Sequence, residues 1–381
     1  MADISLNLLL NDQRADSELM AQLVRAEIRE SDIEPTVLAL RFKMVQQPNG
    51  EFTPLDDDLF KPATALAVDV AAPGGLPERL FSGFVSHVRP HFETIESNCY
   101  IEVMGMDIAA LLDVEDRVTP FPDSTDSEAV QQIFNQYRIT ARVSDTPARH
   151  LEDRQLMVQR ESDWKFVKRL ARRNGFVCYF EFDQSASEVA AYFGPPRVDD
   201  NPQPDLTIFR DNSNLTWFDV QHSLVGPVRH FCAAIDPIAK RLLRSTDEPI
   251  SSLLGGEDVS AQTESGLTQR GVTAATAHLR DATPEDAAVR QAGSAATDRD
   301  RFRVEARGEL DPLLYRGILR ARRPVLVKGV GRQLAGVWYV QAVRTTLSES
   351  TLTQTFALIR NGLGPVGSEK FGQSAEEIPP Q

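Results

Sequence analysis

The chain has 381 residues and a formal net charge of −14. That length exceeds one ordinary core, so two to four compact units are expected. The acid excess disfavours nucleic acid as a partner, because nucleic-acid binders present a basic face. Hydrophobic content is 41% and charged content 25%, both normal for a globular protein, and 23 prolines with 22 glycines suit many turns between short strands.

Residues Met1 to Leu10 lack the basic head and long apolar core of a signal peptide. No apolar run approaches the ~18 residues of a membrane helix, so assembly in the cytoplasm without a membrane span is expected. Cys99, Cys178 and Cys232 are odd in number and sit in or beside apolar stretches, which reads as buried free thiols.

The first hundred residues read as strands. Ser5 to Leu10 is short and apolar, and Val24, Ala26 and Ile28 alternate with charged residues. Thr36 to Val45, Ala65 to Val70, Leu80 to Val88 and Tyr100 to Met104 follow, with a hairpin-type turn at Pro48-Asn49-Gly50. At least six strands in one unit predict a small barrel or sandwich.

The pattern then changes. Thr125-Asp126-Ser127-Glu128 is a capping box, and Val130, Ile133, Phe134 and Tyr137 make one helical stripe behind it. A second helix starts near Ser162, with Phe166, Val167, Leu170 and Ala171 on one face and Gly175 as its C-terminal cap. Phe176 to Phe182 and Val189 to Phe193 predict a hairpin, and Pro195 to Pro204 ends this mixed unit.

Strands return from Leu206. Residues 236–271 read as irregular and polar, and Thr283-Pro284-Glu285-Asp286 signals a helix start. Phe302, Val304, Ala306 and Gly308 alternate cleanly, and Val325 to Val330, Val337 to Val343 and Leu352 to Ile359 complete the set. From Gly362 onward apolar periodicity is absent, so a disordered tail is expected. Phe84-Val85-Ser86-His87-Val88 and Tyr339-Val340-Gln341-Ala342-Val343 share an aromatic-Val-x-x-Val pattern. Chance recurrence and a duplicated barrel both account for it.

The search for chemistry is nearly empty. Six histidines fall in no metal-binding spacing, and His91-Phe92-Glu93 reads as a solvated strand face before a zinc pair. Gly329-Val330-Gly331 reads as a hairpin turn. Acidic clusters at Asp56-Asp57-Asp58 and near Asp113, Glu115 and Asp116 leave a cell-wall hydrolase open, with solvated loop charges as the plainer reading. Arg316, Arg320, Arg322, Arg323 and Lys328 form a basic knot without interleaved aromatics. It reads as an interface for an acidic partner or neighbouring subunit, or as a solvated strand edge.

Glu161-Ser162-Asp163-Trp164-Lys165-Phe166-Val167-Lys168-Arg169-Leu170, followed by Gly175 and an apolar strand, resembles a recurrent stretch of the phage late control gene D family. That family includes contractile-tail hub proteins and the N-terminal part of type VI secretion spike proteins. Arg323 to Gly331, leading to Gly336-Val337-Trp338-Tyr339-Val340, resembles the family's second barrel; Gly329, Gly336, Trp338 and Val340 carry that likeness. Many members have a histidine after this strand, where Thr345 and Thr346 stand here.

The resemblance implies a homotrimeric baseplate hub that adapts a three-fold spike to a six-fold inner tube. It is no enzyme, has no cofactor or metal, and binds a separate spike protein, an inner tube or tube-initiator protein and other baseplate proteins. A tail-associated hydrolase and a carbohydrate- or peptide-binding β module are the alternatives. The expected fold class is α+β, mainly β, with two similar small barrels flanking a mixed α/β unit and a helical insertion in the second barrel. The expected boundaries are 1–115 and 116–205, then 206–235 with 301–363, the insertion at 236–300 and the tail at 364–381.

Overall fold

The structure is a computed structural model. It describes residues 4–72, 75–210, 212–236, 238–245, 249–271, 276–279, 285–315, 317–348 and 351–367. Strands β1 (Ser5–Leu10), β2 (Leu23–Ser31), β3 (Val37–Lys43), β4 (Ala65–Ala71), β5 (Glu78–His91) and β6 (Tyr100–Met106) form the N-terminal unit. Alternation puts Leu38, Leu40 and Phe42 of β3 into its core, beside Ile28, Val68, Phe81 and Val103. Val24 departs from the expected alternation. Leu23 and Arg25 oppose the consecutive residues Phe42 and Arg41, which leaves Val24 as the extra residue of a β-bulge. The turn at Gly50 is present, with φ +91 and the glycine amide donating to the Gln47 carbonyl at 2.8 Å.

The middle unit comprises β7 (Asp116–Phe121), α1 (Asp126–Gln136), β8 (Thr140–Val143), β9 (Met157–Ser162), α2 (Asp163–Asn174), β10 (Val177–Asp183) and β11 (Glu188–Gly194). Thr125 and Glu128 close the capping box on α1, and Val130, Ile133 and Phe134 are buried beneath it. The β10–β11 hairpin gains β8 as a parallel third strand, while β7 and β9 form a separate antiparallel pair.

The C-terminal unit contains β12 (Gln203–Thr207), β13 (Leu215–His222), β14 (Arg229–Asp236), β15 (Arg241–Arg244), α3 (Val259–Gln269), α4 (Asp286–Arg301), β16 (Val304–Leu310), β17 (Pro324–Lys328), β18 (Gly336–Ser348) and β19 (Thr351–Arg360). The stretch expected to be irregular holds the β14–β15 hairpin and α3, so it is more ordered than its polar sequence implies. Thr283 and Pro284 lie outside the described residues, and Glu285 precedes α4 without a side-chain cap. Residues 368–381 of the expected tail also lie outside them; Gly364 is tied in, its carbonyl accepting from Arg360 Nη2 at 2.5 Å.

The fold is α+β and mainly β. A 13-stranded sheet runs through both ends of the chain in the order β13-β16-β19-β18-β2-β3-β6-β5-β4-β1. The short strand Gln13–Arg14 lies beyond β1, and β17, which pairs β12, branches from β18. Within this sheet a five-strand arrangement occurs twice. The neighbours β2-β3-β6-β5-β4 correspond, in the same chain order, to β13-β16-β19-β18-β17.

The registers agree residue by residue. Val85 opposes Gly105 as Val340 opposes Leu358, and Leu66 opposes Gly83 as Val325 opposes Trp338. Both copies carry a bulge at Val24 or Thr216 in the first strand, and at Ser86 or Gln341 in the fourth. Ser86 and Gln341 are the third residues of the recurring aromatic-Val-x-x-Val pattern. The flanking strands differ, since β1 runs antiparallel to β4 and β12 runs parallel to β17.

Candidate functional site

Helix α2 is built as its sequence demands. The Ser162 hydroxyl accepts the Lys165 amide at 3.4 Å, and Gly175 ends the helix at φ +69, where a Cβ would press on Ala295 and Ile250 at 3.1 Å. Asp163 is buried but fully engaged: Tyr137 Oη and Gln159 Nε2 donate to it at 2.7 Å, and Arg117 lies at 3.0 Å. Glu161 pairs with Arg169 at 2.6 Å. Trp164, Phe166 and Leu170 pack with Phe121 and Phe180. These seven residues make a folding element in the monomer.

The second family stretch is also architectural here. At Gly329, φ is +87 and a Cβ would lie 1.8 Å from the Ile208 carbonyl, so only glycine fits. Gly336, at φ +133, opens β18. Trp338 is fully buried and donates Nε1–H to the Leu334 carbonyl at 2.9 Å, and Val340 lies in the same core.

The basic knot separates into individual roles. Arg316 lies outside the described residues. Arg320 makes a forked pair with Glu30 of β2 at 2.7 to 3.1 Å. Lys328 pairs with Asp205 at 2.5 Å, and Arg323 stands half-exposed, 3.8 Å from Glu181. Arg322 is the most enclosed, at 2% exposure. Its guanidinium donates to the Ser31 carbonyl, the Phe180 carbonyl and Thr36 Oγ1, each at 2.9 Å, and lies 4.3 Å from the Tyr179 ring centre. Its backbone is left-handed at φ +70, a conformation that costs on the order of 1 kcal/mol for a residue with a side chain. One side chain therefore ties β2, β10 and the turn after β2 to the segment before β17.

Two acids flank this clamp. Burial raises the Asp32 carboxyl to about 7, with only partial relief from Arg322, and its Oδ1 has no hydrogen-bond partner. Burial also raises Asp107 to about 6, although it caps the Thr36 and Ala109 amides at 2.7 and 3.0 Å. In the middle unit Asp126 shows the opposite balance. Burial alone would raise it, but His150 and Arg173 hold it at about 2.

Asp32 opens onto a cleft of about 830 Å³ between α2, α4, β18 and β19. Its cationic wall is Lys165, Lys168, Arg169 and Arg172 of α2. The sequence reading passed over that wall. The signal was present, since these residues recur at i, i+3, i+4 and i+7 and share one helix face. The cleft offers charge but no activated nucleophile: burial raises the thiol of Cys178, the cysteine in its lining. Among the described residues no three His, Cys, Asp or Glu side chains gather as a metal site, and no helix is long and apolar enough to cross a membrane. His91 contacts Glu93 at 3.1 Å on an exposed strand end. Asp113 takes Lys165 at 3.4 Å and Glu115 takes Arg117 at 3.6 Å, so both acids are engaged in ion pairs.

A sequence-family profile described as the Alg8 N-terminal domain matches residues 45–191. That range is under half of the chain and cuts through the first barrel, so it corresponds to no structural unit here. No curated protein sequence matches. Solved structures match over nearly the whole chain. A 43 kDa tail protein of prophage MuSo2 from Shewanella oneidensis aligns at TM-score 0.64 and 14% identity, covering 94% of this chain and 98% of its own. A tail protein from Neisseria meningitidis MC58 aligns at 0.61 and 11%, covering 95% and 98%. The E. coli c3393 protein, a type VI secretion component described as similar to T4 bacteriophage tail proteins gp27 and gp5, aligns at 0.54 and 12%, covering 93% and 76%. The fold of this chain is thus one shared by phage tail proteins and a type VI secretion component.

Proposed function

We propose that this chain is a structural hub in the baseplate of a contractile phage tail or a phage-like injection system, of the late control gene D kind. Three copies form a ring. Each contributes two barrels, so six similar units face a six-fold inner tube while the ring keeps three-fold symmetry toward a separate spike protein. Other baseplate proteins dock outside, and the chain acts without catalysis, cofactor or nucleic acid. The observation that carries this reading is the doubled five-strand register with bulges at the same two places. A symmetry adaptor needs such a repeat, because two similar units in each of three chains make six. In this reading the units divide near 115 and 205, and residues 236–300 are an insertion into the second barrel. The likeness to tail proteins over nearly the full length agrees with it.

Light scattering and electron-microscopy class averages test the proposal. The expected result is a three-copy ring with pseudo-six-fold views that binds co-expressed spike or tube protein. A monomer at every concentration that binds neither overturns it. Clearing of a peptidoglycan suspension by the purified protein would instead favour the hydrolase.

A further inference from the structure

We propose that the cleft between α2, α4, β18 and β19 is a docking site for an extended segment of another protein, in which acidic residues alternate with apolar ones. The proposal does not depend on how many copies of the chain assemble.

All three units build the cleft. The turn after β2 supplies Asp32, Ile33 and Glu34, and the middle unit supplies α2 and the start of β10. The C-terminal unit supplies α4, Gln341 and Ile359. The volume of about 830 Å³ falls within the ~300–1,000 Å³ of ligand sites, which favour such junctions. Phe176, Val177, Phe302 and Ile359 make much of the lining apolar. Ile33, also in the lining, is 55% exposed, a large apolar side chain left to solvent.

Two arginines of the lining, Arg172 of α2 and Arg299 of α4, form no ion pair among the described residues. The Arg299 guanidinium donates to the Arg172 carbonyl at 3.0 Å, so the C-terminal ends of both helices bring two cations together. Burial and the charge of Arg172 hold the Arg299 guanidinium below its ordinary value. Its sequence neighbours are engaged elsewhere: Asp298 accepts the Ser251 amide at 2.9 Å, and Asp300 holds His230 at 2.6 Å. An anion between the two arginines removes this cost. Lys165, Lys168 and Arg169 have partners in Asp113, Glu34 and Glu161 at 3.4, 3.3 and 2.6 Å. Each pair is partly exposed, and such pairs hold weakly enough to exchange. Of the four acids in the lining, Asp32 and Asp298 are buried and Glu34 is paired, which leaves Glu305 of β16.

Spacing favours a polypeptide over a small anion. Lys165 to Arg172 spans about 10 Å of helix at 1.5 Å per residue. An extended chain rises ~3.3 Å per residue and turns successive side chains to opposite faces. Acids at alternate positions then meet successive cations of α2, while the residues between them face the apolar lining. The presence of Glu305 means that this second face should carry no acid.

Fluorescence anisotropy of fluorescein-labelled octapeptides tests the site on the full-length chain. A peptide of alternating glutamate and valine should give a saturable rise. Lysine in place of glutamate, or serine in place of valine, should weaken binding at least ~10-fold. Arg172→Glu and Arg299→Glu should each weaken binding of the glutamate–valine peptide by a similar factor, and the milder Arg172→Gln should act in the same direction. Lys61→Glu, the same charge change on the exposed surface of the first barrel, should leave it unchanged. No saturable rise, or a rise that neither arginine variant alters, overturns the proposal. Equal binding of the glutamate–serine peptide overturns it too, by making the cleft a general anion sink. Tighter binding of a peptide copying residues 368–381 would make the chain's own end the occupant, and a changed number of copies in Arg172→Glu would make it a second copy. Either result overturns the separate partner.

Discussion

In the first barrel Phe81 opposes Val68, and Gly83 follows two residues later opposite Leu66. In the second barrel Gly336 takes the first place, opposite Val327, and Trp338 the second, opposite Val325. The large and small residues have exchanged places along one face. The pattern recurs across the sheet. Phe81 lies over Gly105 in one barrel and Phe356 over Gly308 in the other, 3.0 and 2.5 Å from where a Cβ would stand. Each core is filled by an aromatic ring seated on a glycine, but on different strands. Volume is balanced while identity is not, which is why two barrels with one register show so little sequence likeness. The backbone devices are what coincide: five strands in one order and two bulges at the same positions.

The bulges offer the sharpest way to break this equivalence. Deleting Gln341 removes the extra residue of β18 and flips its later half, which turns Val343 and Leu347 away from their cores and slips the seam with β2. Destabilisation beyond ~4 kcal/mol, or failure to fold, is expected in urea titration. Deleting Ser86 makes the matching change where the strand is exposed in the monomer, and should cost markedly less. Equal losses would mean that the later half of β5, paired within the chain by β6 alone, matters as much as the half of β18 that is paired on both edges.

The connection after the first strand of each repeat separates the barrels next. In the first it is a short turn from Asp32 to Thr36; in the second it spans residues 223–303. Arg322 clamps the short turn. Arg322→Ala leaves the Ser31 and Phe180 carbonyls without their donor and two buried acids without their cation, so a loss of about 3–5 kcal/mol is expected by chemical denaturation.

Asp32→Asn probes the same turn with the opposite sign. Asp32 titrates near 7 when folded and near 3.8 when unfolded, so its ionisation favours the unfolded chain as pH rises between those values. The asparagine variant should match the native protein below pH 4 and exceed it above pH 7 by roughly 2–4 kcal/mol. A gain independent of pH would show that the carboxylate is not the source of the cost.

Much of this was legible in the sequence, and the remainder shares one cause. Local patterns announced themselves: Leu38, Leu40 and Phe42 by alternation, Thr125 and Glu128 by the capping box, Gly175 by its place after a helical stripe. Ladders closed over long separations did not. Nothing near Ser31 indicates that its opposite is Ala342, and nothing in the Arg320–Arg323 run says that Arg320 and Arg322 turn inward to Glu30 and Ser31. A run of arginines carries the same charge whether it faces solvent or a buried carbonyl. The aromatic-Val-x-x-Val echo was the exception, because its third residue is a bulge and bulges constrain sequence locally.

The smallest effect separates what holds the seam from what aligns it. Arg344 is 49% exposed and shares Glu27 with Arg25 and Arg29, so its removal leaves the carboxylate with two partners. Exposed ion pairs contribute ~0.2–1 kcal/mol and are screened by salt, so Arg344→Ala should change stability by no more than that, and by less in 0.5 M salt. The backbone ladder and the buried Leu347 hold β18 to β2; the charges only favour this register over a slipped one.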